Sequence, residues 1–348
     1  MISVKGRKIA LIGGAGFIGH NLALTLKKLG ADVEVIDSLQ VNNLLTFAGR
    51  SGKDPNTQLH FRFLNERIAL LQDAGIPLDV QDARDYHGLS HVLNRIKPSV
   101  IIHLAAVAHA GTSNKDPYST FDHSLRTLEN ALDYARTGQV EHFIYFSSSM
   151  VYGNFNAKAV TEETHCEPLG IYGALKFAGE KMVIAYNQVF KLPYTIIRPS
   201  ALYGERCVSR RVGQIFIENA LQGLEVKISG DGSDQLDFTY IEDLVNGIVK
   251  VIEQGDTNSK NQIFNLTYGD ARSISQMADI LAAHFPGVKI TYLPKDNLMP
   301  ERGTLSVEKA KKLLDFKPQH PLETGFVKYI EWYRKNASVA EKKEKVSV

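Results

Sequence analysis

The sequence predicts an α/β fold: a doubly wound parallel sheet with a smaller, discontinuous α/β lobe. Two observations carry this. Up to Pro199, short apolar strand-like runs alternate with helical segments, the pattern of a parallel sheet covered by helices on both faces. Beyond Pro199 the alternation weakens into short helices mixed with short strands. At 348 residues the chain suits one large domain or two unequal lobes. We place the first lobe over 1–198, with a later return over about 238–266. The second lies mostly over 199–335, and 336–348 reads as a charged flexible tail.

The first strand, 8–12, runs into Gly13-Gly14-Ala15-Gly16-Phe17-Ile18-Gly19 and a helical pattern through Leu29. A second strand, 32–36, ends in Asp37. Strand, glycine turn, helix and strand in this spacing form a dinucleotide-binding fingerprint. Gly13 makes the tight turn, Gly16 lets the backbone approach a pyrophosphate, and Gly19 lets helix and strand pack closely. The free N–H groups of Phe17 and Ile18 at the helix N-terminus favour that anion. Asp37 fits a carboxylate that accepts both ribose hydroxyls, and no cation follows it in Ser38-Leu39-Gln40. NAD is therefore expected rather than NADP.

The connection from Asp37 to Asp82 is long. It reads as an exposed loop, 49–55, and an extra helix, 61–74, in which Leu64, Ile68 and Leu71 recur at near-helical spacing. Strands follow at 78–81, 100–104, 142–146 and 194–197, with long helices at 118–135 and 172–190. Beyond Pro199 the second lobe, with the return to the first, carries helices at 212–222, 273–284, 307–314 and 322–334 and strands at 262–266 and 289–293. It is expected to close over the carboxyl edge of the sheet, where ligands of open α/β sheets bind.

Composition excludes several classes. A formal charge of +2 gives no reason for nucleic-acid binding or a general membrane attraction. No apolar run approaches the ~18–20 residues of a membrane span. The first strand begins too early to leave room for a signal peptide. Cys166 and Cys207 lack CxxC spacing, which predicts a reducing compartment, the cytoplasm, without disulfides. His165 and Cys166 have no companions at metal-ligand spacing, so no metal is expected.

Tyr172-Gly173-Ala174-Leu175-Lys176 puts a phenol and an ammonium on one helical face. Upstream, Phe146-Ser147-Ser148-Ser149-Met150-Val151-Tyr152-Gly153 leaves a strand end rich in hydroxyls. Further along the chain stand Asp82-Ala83-Arg84-Asp85, His103-Leu104-Ala105-Ala106, Arg198-Pro199, Gly230-Asp231-Gly232 and Lys309-Ala310-Lys311-Lys312-Leu313-Leu314. In this order and spacing, from about Lys8 to Tyr333, the chain resembles the extended short-chain dehydrogenase/reductases. The specific resemblance is to the NAD-dependent epimerase/dehydratase family, typified by UDP-glucose 4-epimerase and built on a Rossmann-type sheet.

The resemblance implies roles. Tyr172 exchanges a proton with a sugar hydroxyl, Ser148 holds the substrate oxygen with Ser149 beside it, and Lys176 activates Tyr172 and bonds the nicotinamide ribose. Ser38, Asp82, Ala83, Leu104, Ala105, Ala106 and Ser200 join the cofactor contacts. A free phenol has a pKa of about 10, and an ammonium at ~4 Å supplies about 4 kcal/mol, enough to bring Tyr172 near neutrality. Dehydratases and decarboxylases of the family carry an acidic residue where this chain has Met150, and a thioether transfers no proton. The leading reading is thus a nucleotide-sugar epimerase, a 4-epimerase, using NAD through a transient keto-sugar. The alternatives are a reductase, dehydrogenase or dehydratase of the same family acting on a nucleotide sugar or another alcohol. A non-catalytic NAD-binding regulator would need no proton relay.

Three positions depart from the family: His123 and Ala201 replace asparagines, and Leu236 replaces an arginine that grips the diphosphate. Arg206, Arg210, Arg211 and Arg302 are the candidate substitutes, because a guanidinium fork binds two phosphate oxygens at once. His109 is a candidate substrate contact, and His103 a packing residue. Helices 118–135 and 172–190 correspond to the pair with which family members form a homodimeric four-helix bundle, with Phe177, Met182, Val183 and Ala185 able to supply an apolar face.

Overall fold

A computed structural model describes residues 3–41, 43–48, 56–107, 110–155, 157–255, 257–295 and 300–344, without the side chains of 48, 110 and 337–344. The expected loop 49–55 lies outside the described residues.

Strand β1 (Lys8–Ile12) passes through the glycine turn into α1 (Phe17–Lys28) and returns as β2 (Asp32–Asp37), the unit the fingerprint predicts. The long connection holds α2 (Leu44–Ala48) and α3 (Thr57–Asp73), then β3 (Leu78–Val80). Asp85 starts α4 (Tyr86–Ile96) by accepting from the Gly88 N–H, and β4 (Val100–His103) follows. The stretch expected as one helix over 118–135 is subdivided. After α5 (Ala110–Lys115) come α6 (Pro117–Phe121), a π-helical turn (Asp122–Arg126) and α7 (Thr127–Ala135). The Thr127 hydroxyl donates to the His123 and Ser124 carbonyls at this wider turn. Next are β5 (His142–Phe146), β6 (Ala159–Val160), α8 (Gly170–Phe190) and β7 (Tyr194–Arg198).

The remaining chain gives β8 (Leu202–Tyr203), α9 (Val212–Leu221), β9 (Val226–Ser229), β10 (Gln235–Leu236) and β11 (Thr239–Tyr240). Then come α10 (Ile241–Glu253), β12 (Gln262–Asn265), β13 (Arg272–Ser273), α11 (Ile274–His284) and β14 (Ile290–Leu293). β15 (Thr304–Leu305), α12 (Glu308–Leu314) and α13 (Leu322–Glu344) complete it. The helical backbone of α13 thus continues through much of the segment read as a flexible tail.

Seven parallel strands form the main sheet in the order β12-β7-β5-β4-β1-β2-β3. Neighbouring β4 and β5 are buried along their whole length, as strands covered on both faces must be. One face packs Leu22, Leu26, Leu244 and Ile248 of α1 and α10 against Leu11 and Val35. The other packs Leu89, Leu93, Leu128, Leu132 and Val183 against Ile101, Phe143 and Ile196. A third cluster, with Phe216, Met277, Phe326 and Tyr333, forms the core of the smaller lobe. The inserted helix α3 belongs to it: Phe63 stacks edge-on to Tyr333 at 5.7 Å between ring centroids. The insertion therefore ties the first half of the chain to the last helix.

Candidate active site

The carboxyl ends of β1, β2, β4, β5 and β7 open into one cleft of about 470 Å³. Its floor is the glycine turn. Gly13 has φ +81°, and a Cβ there would stand 2.6 Å from the Ala105 nitrogen. A Cβ on Gly19 would stand 2.5 Å from the Gly14 backbone. At Gly16 the nearest atom would be the Gly13 carbonyl at 3.2 Å, so that face of the turn stays open for a ligand backbone. Asp37 accepts the Ala15 N–H at 3.0 Å and the Leu39 N–H at 2.8 Å. Burial raises its pKa, opposed by these two bonds and by the charge of Arg67. Asp82 is held by Arg84 at 2.6 Å, whose hydrogen bond lowers the Asp82 pKa. Ser38, Ala83, Leu104, Ala105, Ala106 and Ser200 line the same cleft, with Phe17 and Ile18 at the start of α1. These residues fit a dinucleotide.

Ser148 and Ser149 leave the end of β5 in a 3-10 turn (Ser149–Tyr152), where Ser148 Oγ accepts the Met150 N–H at 3.2 Å. Ser149 Oγ meets Ser200 Oγ at 3.2 Å. Helix α8 brings Tyr172 to this turn, and Gly173 permits the approach: a Cβ there would lie 2.7 Å from the Met150 carbonyl. Ser148, Tyr172 and Lys176 line the cleft together. Lys176 is buried one helical turn from Tyr172. Its ammonium donates to the Phe146 carbonyl at 2.7 Å, and burial brings its pKa down to about 8 against the pull of Glu180. The Tyr172 pKa is raised by burial, while the groups that pull it down are Arg211 and a Ser148 hydrogen bond. Arg211 acts on the phenol through its charge. Beneath, buried Glu180 accepts from Ser147 at 2.5 Å and from Arg198 at 2.7 Å, fixing β5, α8 and β7 together.

At the far end of the cleft stand Arg211 and Arg302, which also line an adjoining cavity of about 370 Å³. Arg302 Nε is buried without a hydrogen-bond partner. Burial, then the Arg211 charge, lowers the Arg302 pKa to about 10. The adjoining cavity has apolar walls, among them Leu236, Phe216, Ile228 and Phe238, with Ala201 at the junction. Arg210 lines it too, while Arg206 faces elsewhere. Its Nη1 bonds Glu66 at 3.1 Å and its Nε bonds His20 at 3.1 Å, so the expectation that it contacts substrate is corrected: tertiary partners turn it toward the glycine turn. His109 lies outside the described residues.

The model of the NAD dependent epimerase/dehydratase family matches residues 9–267. The chain belongs to this family. It is 29% identical to the uncharacterized UDP-glucose epimerase YtcB of Bacillus subtilis, over 93% of this chain and 97% of that protein. The UDP-glucuronic acid 4-epimerase of Bacillus cereus, solved with UDP-glucuronic acid and NAD, aligns with a TM-score of 0.82. That match is 25% identical and covers 94% of this chain and 99% of the other. The UDP-glucose 4-epimerase of Thermotoga maritima, solved with UDP-glucose, aligns with a TM-score of 0.78 at 27% identity, again over 94% and 99% of the two chains.

Membership makes this an NAD-dependent sugar-nucleotide enzyme with NAD as its cofactor. Sequence reasoning missed Arg67, which lines the cofactor cleft, and His20, which bonds the Gly16 carbonyl of the glycine turn. Arg67 arrives from α3, far along the chain from the glycine turn, and His20 is buried beneath that turn. Only the helical spacing of α3 hinted at the first, and it marked the neighbouring leucines instead. His103, as expected, is a buried packing residue, stacked on Phe143 at 6.4 Å. Among the described residues no group of three His, Cys, Asp or Glu has metal-site geometry, and no helix is long and apolar enough to cross a membrane.

Proposed function

We propose that this family member is a nucleotide-sugar 4-epimerase that works through a transient 4-keto sugar, with Tyr172 as its acid/base. The observation that carries the reading is the lining of the cleft around Tyr172. Ser148, Ser149, Met150 and Lys176 are there, and the carboxylates among the described lining residues, Asp37 and Asp82, stand with the glycine-turn and adenosine-side motifs. Dehydration of a sugar needs an acid to protonate the departing hydroxyl, and the thioether of Met150 has no proton to give. Epimerisation asks less of the chain.

The glycine turn and Asp37 would hold NAD, which would supply a hydride acceptor and donor and, when oxidised, a positive charge. Tyr172 Oη takes the sugar hydroxyl proton and later gives it back, while Ser148 Oγ holds the same oxygen. Burial keeps the phenol protonated at rest, and the Arg211 charge works toward the basic form. Inversion requires the keto ring to present its other face while the diphosphate stays anchored. Arg211 and Arg302, which line both cavities, supply that anchor in place of the arginine that Leu236 replaces. The relatives named for UDP-glucose and UDP-glucuronic acid support a uridine diphosphate sugar.

The assembly we propose is a homodimer through α6 and α8. Val183 is committed to the core of the monomer, so it is not the dimer face. On α6 and α8 the exposed large apolar side chains are Tyr118, Phe121, Ile171, Val189 and Phe190. The free cysteines Cys166 and Cys207 fit the cytoplasm. The test of activity is incubation with UDP-, GDP-, CDP- and dTDP-sugars without added cofactor, with products followed by NMR. A C4-inverted sugar supports the proposal. A keto-deoxy product shows a dehydratase, and turnover only with added NADH and a carbonyl shows a reductase.

A further inference from the structure

A buried cation stands beside the cofactor cleft without a carboxylate attached. Arg67, on α3, is 1% exposed and lines the same cavity as Asp37 and the glycine turn. Its Nε donates to the Arg206 carbonyl at 3.1 Å, and its Nη2 donates to the same oxygen. Nη1 has no acceptor among the described residues. Burial lowers the Arg67 pKa to about 10, which leaves it charged at neutral pH. Asp37 acts on it through space, without contact. A buried charge without a close partner costs several kcal/mol, so the fold holds in reserve a cation suited to an anion that enters the cleft.

The surroundings say where that anion lies. His20 links the Arg67 neighbourhood to the phosphate-binding turn. Arg206 Nε must donate, so His20 Nε2 accepts at 3.1 Å and His20 Nδ1 carries the proton that goes to the Gly16 carbonyl at 2.8 Å. Burial and the charges of Arg67 and Arg206 keep this imidazole neutral. Arg67 is thus tied through Arg206 and His20 to the turn that cradles a pyrophosphate, while Asp37 holds the ribose edge. A 2′-phosphate on that edge would meet the Asp37 carboxylate, which two amide bonds fix in place. We propose that Arg67 is a further cofactor-binding residue that reaches in from the inserted helix α3 and pairs with the adenosine-side phosphate of NAD.

The experiment is calorimetric titration of the full chain, stripped of cofactor, with NAD, 5′-AMP, 2′-AMP and adenosine. Arg67→Met keeps the apolar stem and removes the charge. It is expected to bind NAD and 5′-AMP roughly 10–100-fold more weakly, the scale of a charge-assisted hydrogen bond, and adenosine as the parent does. NAD affinity within about two-fold of the parent overturns the proposal. So does an equal loss for adenosine and 5′-AMP, which marks a structural role, or a parent preference for 2′-AMP that the variant loses. If Arg67→Met does not melt cooperatively, Arg67→Lys decides. It keeps the charge but not the fork, so 5′-AMP should weaken several-fold while adenosine does not, and equal losses reject the assignment.

Discussion

Replacing Arg302 by Met separates what this residue costs the folded chain from what it gives to substrate binding. Its Nε is buried without a partner, and burial and Arg211 bring its pKa to about 10. Against roughly 12.5 for an ordinary arginine, at about 1.4 kcal/mol per tenfold, the charge is held at a cost on the order of 3 kcal/mol. For a base whose pKa is depressed by folding, the penalty is complete below the folded value and fades as pH approaches the unfolded one. At pH 7 all of it is present. Methionine keeps the stem and drops the charge, so the variant should recover about 1–3 kcal/mol, the range allowing for imperfect repacking. With about 2.1 cal/mol/K of unfolding entropy per residue, Tm should rise by roughly 1–4 °C. The diphosphate meanwhile loses a charge-assisted bond, so KM for the nucleotide sugar should rise roughly 10–100-fold. kcat should change much less, because the contact lies away from the reacting carbon and serves ground and transition states alike. Scanning calorimetry and steady-state kinetics read the two effects separately. A lower Tm with unchanged KM would refute the reasoning, since Arg302 would then be a structural residue with no diphosphate to hold.

Tyr172→Phe should lower kcat by about 10²-fold or more while the calorimetric Kd for NAD stays put, and near-normal turnover would remove Tyr172 from its role. Because the Lys176 pKa is brought down to about 8, its charge is present below that pH and lost above it, so kcat/KM should fall as pH rises through about 8. The same break persisting in Lys176→Met would assign it to another group. Asp37→Ala should shrink the preference for NAD over NADP, and equal affinities in the parent chain would contradict the role of this carboxylate. Light scattering at micromolar concentration should report a two-chain mass, and a single-chain mass would count against the α6–α8 interface.

Local chemistry was the legible part of this chain. The glycine turn, Asp37, the serines after β5 and the Tyr172–Lys176 helix are set by strand ends and short spacings, and all of them line one cleft. Directions of long side chains were not legible, because distant partners choose them. Lys176 turns to the Phe146 carbonyl, and Arg206 turns to Glu66 and His20 from a loop that reads as substrate-facing. Arg67 was hidden for a related reason. It belongs to an insertion whose helical pattern was readable over 61–74, but nothing local shows that Phe63 packs on Tyr333 and swings Arg67 under the cofactor cleft. The π turn at Asp122–Arg126 was not expected either, because the stretch 118–135 reads as one continuous helix.

The central claim is that hydrogen leaves the sugar C4 and returns to its other face within one closed site. Proton NMR of UDP-glucose and UDP-glucuronic acid incubated with the enzyme in D2O, with no cofactor added, tests this most directly. One of them should be inverted at C4 and keep its original hydrogen there, with no net NADH formed. Deuterium at the inverted carbon, or a keto-deoxy product in place of the inverted sugar, would contradict it.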